Sequence, residues 1–447
     1  MEGNKPEERR HFGGVVYKDA AGEVTVYATK ACEQMVHQLK AKKKKKTKTS
    51  EQKDKQKEKE AEAKQVHSFS RRGFGWSGLL AAASSKKDHS GGPTSFWVCS
   101  DNWSSALFKV NFSTGSCTEY PLNEKHSDLE GMSPVPLNEL HDSDALSTEL
   151  VKEVFVIAGS SSINKTGQHS TRVRNRLSLV VLPRKRKGEK KHKRKLVEGE
   201  QLFTWEHVRE KIYETLEAEV AANRLNCEVQ RELAAKKGGV DIEGICFVPS
   251  NRTGTGSHAL LLGMRGPITL DKKALIIPVN IPHGSLKDPQ QWNLQPPKIL
   301  DFNGYSIRDM CLWVGGEGRL LVLAGPLWQD KADSAITAYP VYACDLVEIC
   351  KPTEGAYVVP SSAYKQVLAI PRIPIHKIDH MNLRRKDFGV EGMEAKQAKA
   401  LRKALADNKE KPTSFSSPEG IASFGDELLV CWDHNDAGLY ATFSVAS

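Results

Sequence analysis

Long apolar runs are missing from this 447-residue chain, and so are paired cysteines and the short motifs of the commonest enzymes. No stretch approaches the 18 or so apolar residues that a membrane-crossing helix needs. The opening residues, Met1-Glu2-Gly3-Asn4-Lys5-Pro6-Glu7-Glu8, hold no apolar signal region. The expectation is a soluble, reduced, monomeric protein without membrane contact, cytoplasmic or, in a eukaryotic cell, nuclear. In that setting the Asn-x-Ser/Thr sequons at Asn102, Asn111, Asn164 and Asn251 mean nothing. The nine cysteines are scattered, with no Cys-x-x-Cys and no Cys/His pair at zinc spacing. Cys99, Cys246, Cys311 and Cys431 lie inside apolar strand patterns, where a thiol behaves as a small hydrophobe. There is no Gly-x-Ser-x-Gly elbow, no His-Glu-x-x-His and no phosphate loop ending in Gly-Lys-Ser/Thr. Trp432-Asp433, a dipeptide of one common propeller repeat, occurs once, without its Gly-His partner.

What the chain does contain is a repeat. Asp128-Leu129-Glu130-Gly131-Met132 is followed by Val154-Phe155-Val156-Ile157-Ala158-Gly159, and Asp241-Ile242-Glu243-Gly244-Ile245 by Leu260-Leu261-Leu262-Gly263. Ser306-Ile307-Arg308-Asp309-Met310 leads to Leu320-Leu321-Val322-Leu323-Ala324-Gly325, and Ser417-Pro418-Glu419-Gly420-Ile421 to Leu428-Leu429-Val430-Cys431-Trp432-Asp433. Each unit reads as two adjacent strands, four to seven residues long and bounded by Gly, Pro, Asn or Asp. A few strands cannot bury an apolar face alone, so several units must stack. Radial stacking makes an all-β propeller with short, protected edges; a sandwich of unrelated hairpins is the competing arrangement.

Charge divides the chain further. The net charge is +10, but Lys40–Lys64 carries 12 lysines against 5 acidic residues, and Arg184–Lys195 carries 9 basic residues against 1. These two tracts hold a net +15, which leaves the rest of the chain at −5. A nucleic-acid-binding core would instead interleave basic and aromatic residues on its strands. Lys42, Lys43, Lys44, Lys45 and Lys46, with Arg184, Lys185, Arg186 and Lys187, are therefore candidates for binding a polyanion, or a protein, or for nuclear import. Solvated loops that only raise solubility fit them equally.

The organisation that follows begins with an N-terminal hairpin at 1–37 joining the propeller and a Lys-rich low-complexity insertion at 38–92. Blades occupy 93–182, and 183–237 holds a basic tract plus an amphipathic helix. Further blades at 238–375, a helical excursion at 376–412 and a closing blade at 413–447 complete it. Without the three insertions about 300 residues remain, enough for six or seven blades at ~40–50 residues each. The helix is expected from Trp205 to about Lys237, with Val208, Ile212, Leu216 and Val220 four apart, Thr204 as N-cap and Gly238-Gly239 as the stop. The Ala/Lys-rich stretch Glu394–Asn408 reads as a second, surface helix.

Five of these motifs resemble a family known as domain of unknown function 3616, found largely in bacteria. They are Asp241-Ile242-Glu243-Gly244-Ile245, Leu262-Gly263-Met264-Arg265-Gly266-Pro267, Ser306-Ile307-Arg308-Asp309-Met310, Leu323-Ala324-Gly325-Pro326 and Pro418-Glu419-Gly420-Ile421. They occur in family order and span about Phe96 to Val445. The resemblance implies a propeller and brings no activity with it; the lysine-rich insertions depart from the family pattern.

In a propeller the innermost strands line an axial channel, so Glu130, Glu243, Arg308 or Asp309, and Glu419 should meet at its mouth, with Asp241 and Arg265 near them. Clustered carboxylates repel unless a cation, an arginine or raised pKa values relieve them. Glu130, Glu243 and Glu419 are thus candidate ligands for Ca²⁺ or Mg²⁺. The Glu-Gly pair is also similar to the start of gluconolactonase- and paraoxonase-type propellers, where the glutamate helps hold a catalytic metal. The bland alternative is that each glutamate closes its blade on the next, with Arg265 and Arg308 pairing the carboxylates or binding an anionic ligand. Three functions stay open: a ligand- or protein-binding scaffold without catalysis, a metal-dependent lactonase- or esterase-like hydrolase at the channel mouth, and a nuclear or RNA-associated propeller using its basic tails.

Overall fold

A computed structural model describes residues 15–19, 22–28, 76–81, 94–100, 106–112, 117–122, 126, 128–140, 151–162, 175–183, 200–234, 237–327, 336, 338–374, 415–433 and 439–445. Five sheets of at least four strands each are present among them, antiparallel except where Tyr357–Val358 pairs with Lys298–Leu300. Their innermost strands are β1 (Trp76–Ala81), β2 (Leu129–Pro134), β3 (Asp241–Val248), β4 (Ser306–Leu312) and β5 (Phe415–Phe424). Each packs against the next, and β5 returns to β1, which closes the ring at five blades.

The fold is therefore an all-β propeller, but with five blades where the length arithmetic predicts six or seven. The innermost strands begin at residues 76, 129, 241, 306 and 415, so two of the repeats far exceed the ~40–50 residues assumed for a blade. Strand β1 also lies inside the stretch 38–92 that composition assigns to an insertion. Its short apolar run, Leu79-Leu80-Ala81-Ala82-Ala83, is hidden between Lys-rich and Ser/Gly-rich flanks.

Blade cores form between neighbouring sheets. All eight residues of β3 are buried, because a propeller strand is covered on both faces. Its side chains alternate as a strand requires. Ile245 and Phe247 join the layer shared with the second blade, beside Val156 and Leu179. Cys246 and Val248 join the layer shared with the fourth, beside Met310 and Val322. No disulfide joins any two of the eight described cysteines, seven of which are buried.

The fifth blade is built from both ends of the sequence. Beyond β5, Glu427–Asp433 and Leu439–Ser444 continue the sheet, and then Gly22–Ala28 and Val15–Asp19 complete it. Tyr27 pairs with Tyr440 and Ala28 with Leu439. This places the predicted N-terminal hairpin.

A single helix of more than five residues is described, α1 at Val208–Ala221, shorter at both ends than its apolar stripe predicts. Thr204 and Trp205 belong instead to the outer strand of the second blade, Glu200–Glu206, so the N-cap is His207. The stop comes early because Asn223 takes the left-handed conformation, φ 56°, that ends helices. Val208, Ile212, Tyr213 and Leu216 bury the inner face of α1. Glu219 then holds the turn, accepting from Arg224 Nε and Nη2 at 2.8 Å and from the Ala356 amide at 2.7 Å. Residues 375–414, with the predicted second helix, and the basic residues Lys42–Lys46 and Arg184–Lys187 lie outside the described residues. No described helix is long and apolar enough to cross a membrane.

Candidate functional site

The repeat motif has a structural meaning at the axis. In β2, β3, β4 and β5 the pairing register slips at Glu130, Glu243, Arg308 and Glu419, so these residues stand out of the ladder. In β1 the slip falls at Gly78. A bulge frees one residue from strand pairing and re-aims its side chain. The glycine that follows lets the strands crowd together: a Cβ on Gly244 would lie 2.7 Å from Asp309 Cα in the next blade. Gly78-Leu79 is the fifth copy of the motif, unrecognisable in sequence because it carries no charged residue.

Five side chains at and beside the bulges, Asp241, Glu243, Arg265, Arg308 and Glu419, form one network. Arg308 is fully buried, and its Nη1 reaches Glu243 Oε2 at 3.2 Å and Glu419 Oε2 at 3.1 Å. One guanidinium thus joins β3, β4 and β5. Arg265, from the strand paired with β3, donates Nε to Asp241 Oδ2 at 2.5 Å. Its Nη1 sits 2.5 Å from Glu243 Oε1, a close ion pair without hydrogen-bond alignment. Glu130 of β2 is close enough to favour the charged form of Arg265. Asp128, which accepts from the Ser160 hydroxyl, acts on Asp241 in the same way that like charges do.

Asp309 does something different from its neighbours. It stands where the other blades have glycine or Leu79, and its carboxylate accepts from backbone N–H groups. Met310 N donates to Oδ1 and Ile421 N to Oδ2, both at 2.8 Å, and the Leu79 amide contributes a third contact. One side chain therefore ties β1, β4 and β5. Burial pushes its pKa well above the usual carboxylate range, against the pull of those three amides.

The electrostatics follow from the same geometry. Burial raises Glu243 to about 7, opposed by Arg265 and Arg308 and reinforced by Asp241 and Glu419. Burial also raises Asp241, with Arg265 working against it. For Arg308 burial disfavours the charge, but Glu419 and Glu243 outweigh it and hold the guanidinium protonated. Arg308 occupies the space between two carboxylates that a divalent cation would need. Among the described residues no three His, Cys, Asp or Glu side chains are placed to hold a metal. Arg308 Nε and Nη2 have no hydrogen-bond partner, and the side chain rests against Gly325 and Tyr339.

At the other end of the inner strands the axis opens into a cavity of about 390 Å³. Its throat is apolar, with Leu79, Met132, Phe247, Met310, Leu312 and Ala422. Polar groups stand at its rim: Asn138, Glu139, Asn251 and Arg252, all in segments that follow β2 and β3. Glu139 is held by the buried His258, whose Nε2 lies 3.6 Å from Oε2, while its Nδ1 accepts from the Ser250 amide at 3.1 Å. Sequence reasoning missed this mouth entirely. Its residues come from loops of unequal length and share no repeated motif.

Solved structures similar to this chain include an exo-β-1,3-galactanase from Phanerochaete chrysosporium, 7% identical, with 83% of this chain and 60% of that one covered and a TM-score of 0.35. This chain thus spans less than two thirds of the galactanase's length. Regucalcin from Agrobacterium tumefaciens, described as a calcium-binding protein, is 10% identical, with 84% and 91% covered and a TM-score of 0.29. The β-propeller domain of Cps50 (Swd1) from Myceliophteria thermophila is 10% identical, with 79% and 81% covered and a TM-score of 0.27. No curated protein matches the chain. Residues 162–343, which carry β3, β4 and the Arg265 and Arg308 positions, match the family model described as protein of unknown function (DUF3616), the family that the repeat motifs resemble.

Proposed function

We propose that this protein is a binding propeller without catalysis, whose axial cluster of carboxylates and arginines locks the blades together. The observation that carries this reading is the buried Arg308 guanidinium, which bridges Glu243 and Glu419 across three blades. A metal-dependent hydrolase needs an open coordination position with carboxylate oxygens turned toward it. Here the carboxylates of β3 and β5 turn toward a guanidinium, and Asp309 is committed to backbone amides. A buried, charge-balanced network of this kind fixes register between elements more than it adds stability.

Calorimetric titration of the intact protein with Ca²⁺ and with Mg²⁺ tests the reading. No saturable binding is expected, and Glu243→Gln should lower the melting temperature without altering that result. Binding of one ion per chain, abolished by Glu243→Gln, would overturn the structural reading and restore the metal site.

A further inference from the structure

We infer that the cavity at the far end of the axis is a binding site for a compact organic monoacid, with Arg252 as its anchor. The inference rests on the binding-propeller reading and adds a place and a ligand class to it. A volume of about 390 Å³ lies at the small end of the range for small-molecule sites, ~300–1,000 Å³. The throat is built from Leu79, Met132, Met310 and Ala422, so the buried part of a ligand must be apolar. Two of these are methionines, which adapt to ligands of irregular shape. The backbone polar groups around the opening are already used: Ser133 Oγ accepts from the Phe247 amide at 2.8 Å, and Ser423 Oγ from the Val314 amide at 3.0 Å.

The charge at the rim selects the other end of the ligand. Arg252 lines the cavity; burial pushes the Cys246 thiol in the wall well above its ordinary pKa, and the Arg252 guanidinium is near enough to offset a small part of that rise. Among the described residues no carboxylate pairs with it. Glu139, another lining residue, is engaged by His258 and by Asn138 Nδ2 at 3.2 Å. One unpaired guanidinium beside an apolar throat fits one carboxylate or sulfonate on an apolar body. Glu139 would repel a second acidic group, so the pocket discriminates monoacids from diacids. Asn138 and Asn251 can donate to the remaining acid oxygens or accept from the ligand body.

A matched pair of fluorescent probes tests this without knowledge of the natural ligand. 8-Anilinonaphthalene-1-sulfonate carries an anionic group on two apolar ring systems, and N-phenyl-1-naphthylamine is the same body without the sulfonate. The intact protein should bind the sulfonate at one saturable site. Arg252→Gln, at an exposed position, should weaken it about tenfold, the order expected for a lost charge-assisted hydrogen bond. Binding of the neutral probe should change less than about twofold, as a purely apolar contact requires. Asn251→Trp, also exposed, should narrow the mouth and weaken both. No saturable site, an unchanged sulfonate affinity in Arg252→Gln, or an equal loss of both probes would overturn the proposal. Any of these would leave the structural role of the Arg308 cluster intact, because that is read by cation titration.

Discussion

Replacing Arg308 by methionine keeps most of its bulk and removes the charge between Glu243 and Glu419. Glu243, left with Arg265 as its counter-ion, would then face the buried Glu419 with no guanidinium between them. The expected loss is ~3–5 kcal/mol, the usual cost of removing one partner from a buried ion pair. Denaturant unfolding measures it, and adding Glu243→Gln and Glu419→Gln should recover part of the loss. Glu243 also sets a pH dependence. Its folded pKa of about 7 lies above the ordinary 4.5, so between these values the native protein keeps a proton that the unfolded chain has released. Stability should therefore fall as pH rises from about 4.5 through 7, and Glu243→Gln should flatten that slope in denaturation midpoints at pH 5 and 8. At this scale the sequence was partly legible. Equivalent Glu positions announced themselves by repetition, and so did the neighbouring arginine. The amide-bonded role of Asp309 did not, since three backbone donors from distant strands leave no mark on composition.

Strand spacing gives the sharpest expectation at the level of elements. Gly244→Ala would place a methyl 2.7 Å from Asp309 Cα and 2.9 Å from its carbonyl carbon, backbone atoms that cannot rotate away. Gly131→Ala meets Ile245 Cγ1 at 2.9 Å, which a side-chain adjustment can relieve, and the Ile245 amide nitrogen at 3.2 Å, which need give only a few tenths of an ångström. The first substitution should cost more than the ~1–3 kcal/mol typical of overpacking, and the second should fall within it. Melting temperatures of the two variants compare them directly. Strands were the most readable elements, because the partners of β3 and β4 carry continuous apolar runs, Ala259–Leu262 and Leu320–Ala324, that end in glycine. Strand β1 was not, for its glycine has no acidic neighbour and its flanks are low in complexity. The end of α1 was misplaced for a related reason: Leu225 and Cys227 are buried as an irregular segment, which preserves the apolar content of a helix without its geometry.

Closure of the whole ring depends on a sheet shared by residues 15–28 and 415–444. Deleting residues 1–28 removes two strands and exposes the edge of Leu439–Ser444. An unprotected edge invites pairing with other chains. The truncated protein should melt at a lower temperature and form larger species in size-exclusion chromatography; a monomer of unaltered melting temperature would show that closure does not need the hairpin. Blade number was the global property least visible in sequence, because ring size depends on how many inner strands meet at the axis, not on the length threaded between them. The shared sheet also sets an order in time. Gly22–Ala28 leaves the ribosome more than 400 residues before its partner Leu439–Ser444. At ~5–20 residues per second the earlier strand waits roughly 20–80 s with only Val15–Asp19 to pair with. During synthesis four sheets can assemble while the fifth stays open, and a nascent chain stalled short of residue 439 would leave that hairpin available to a chaperone.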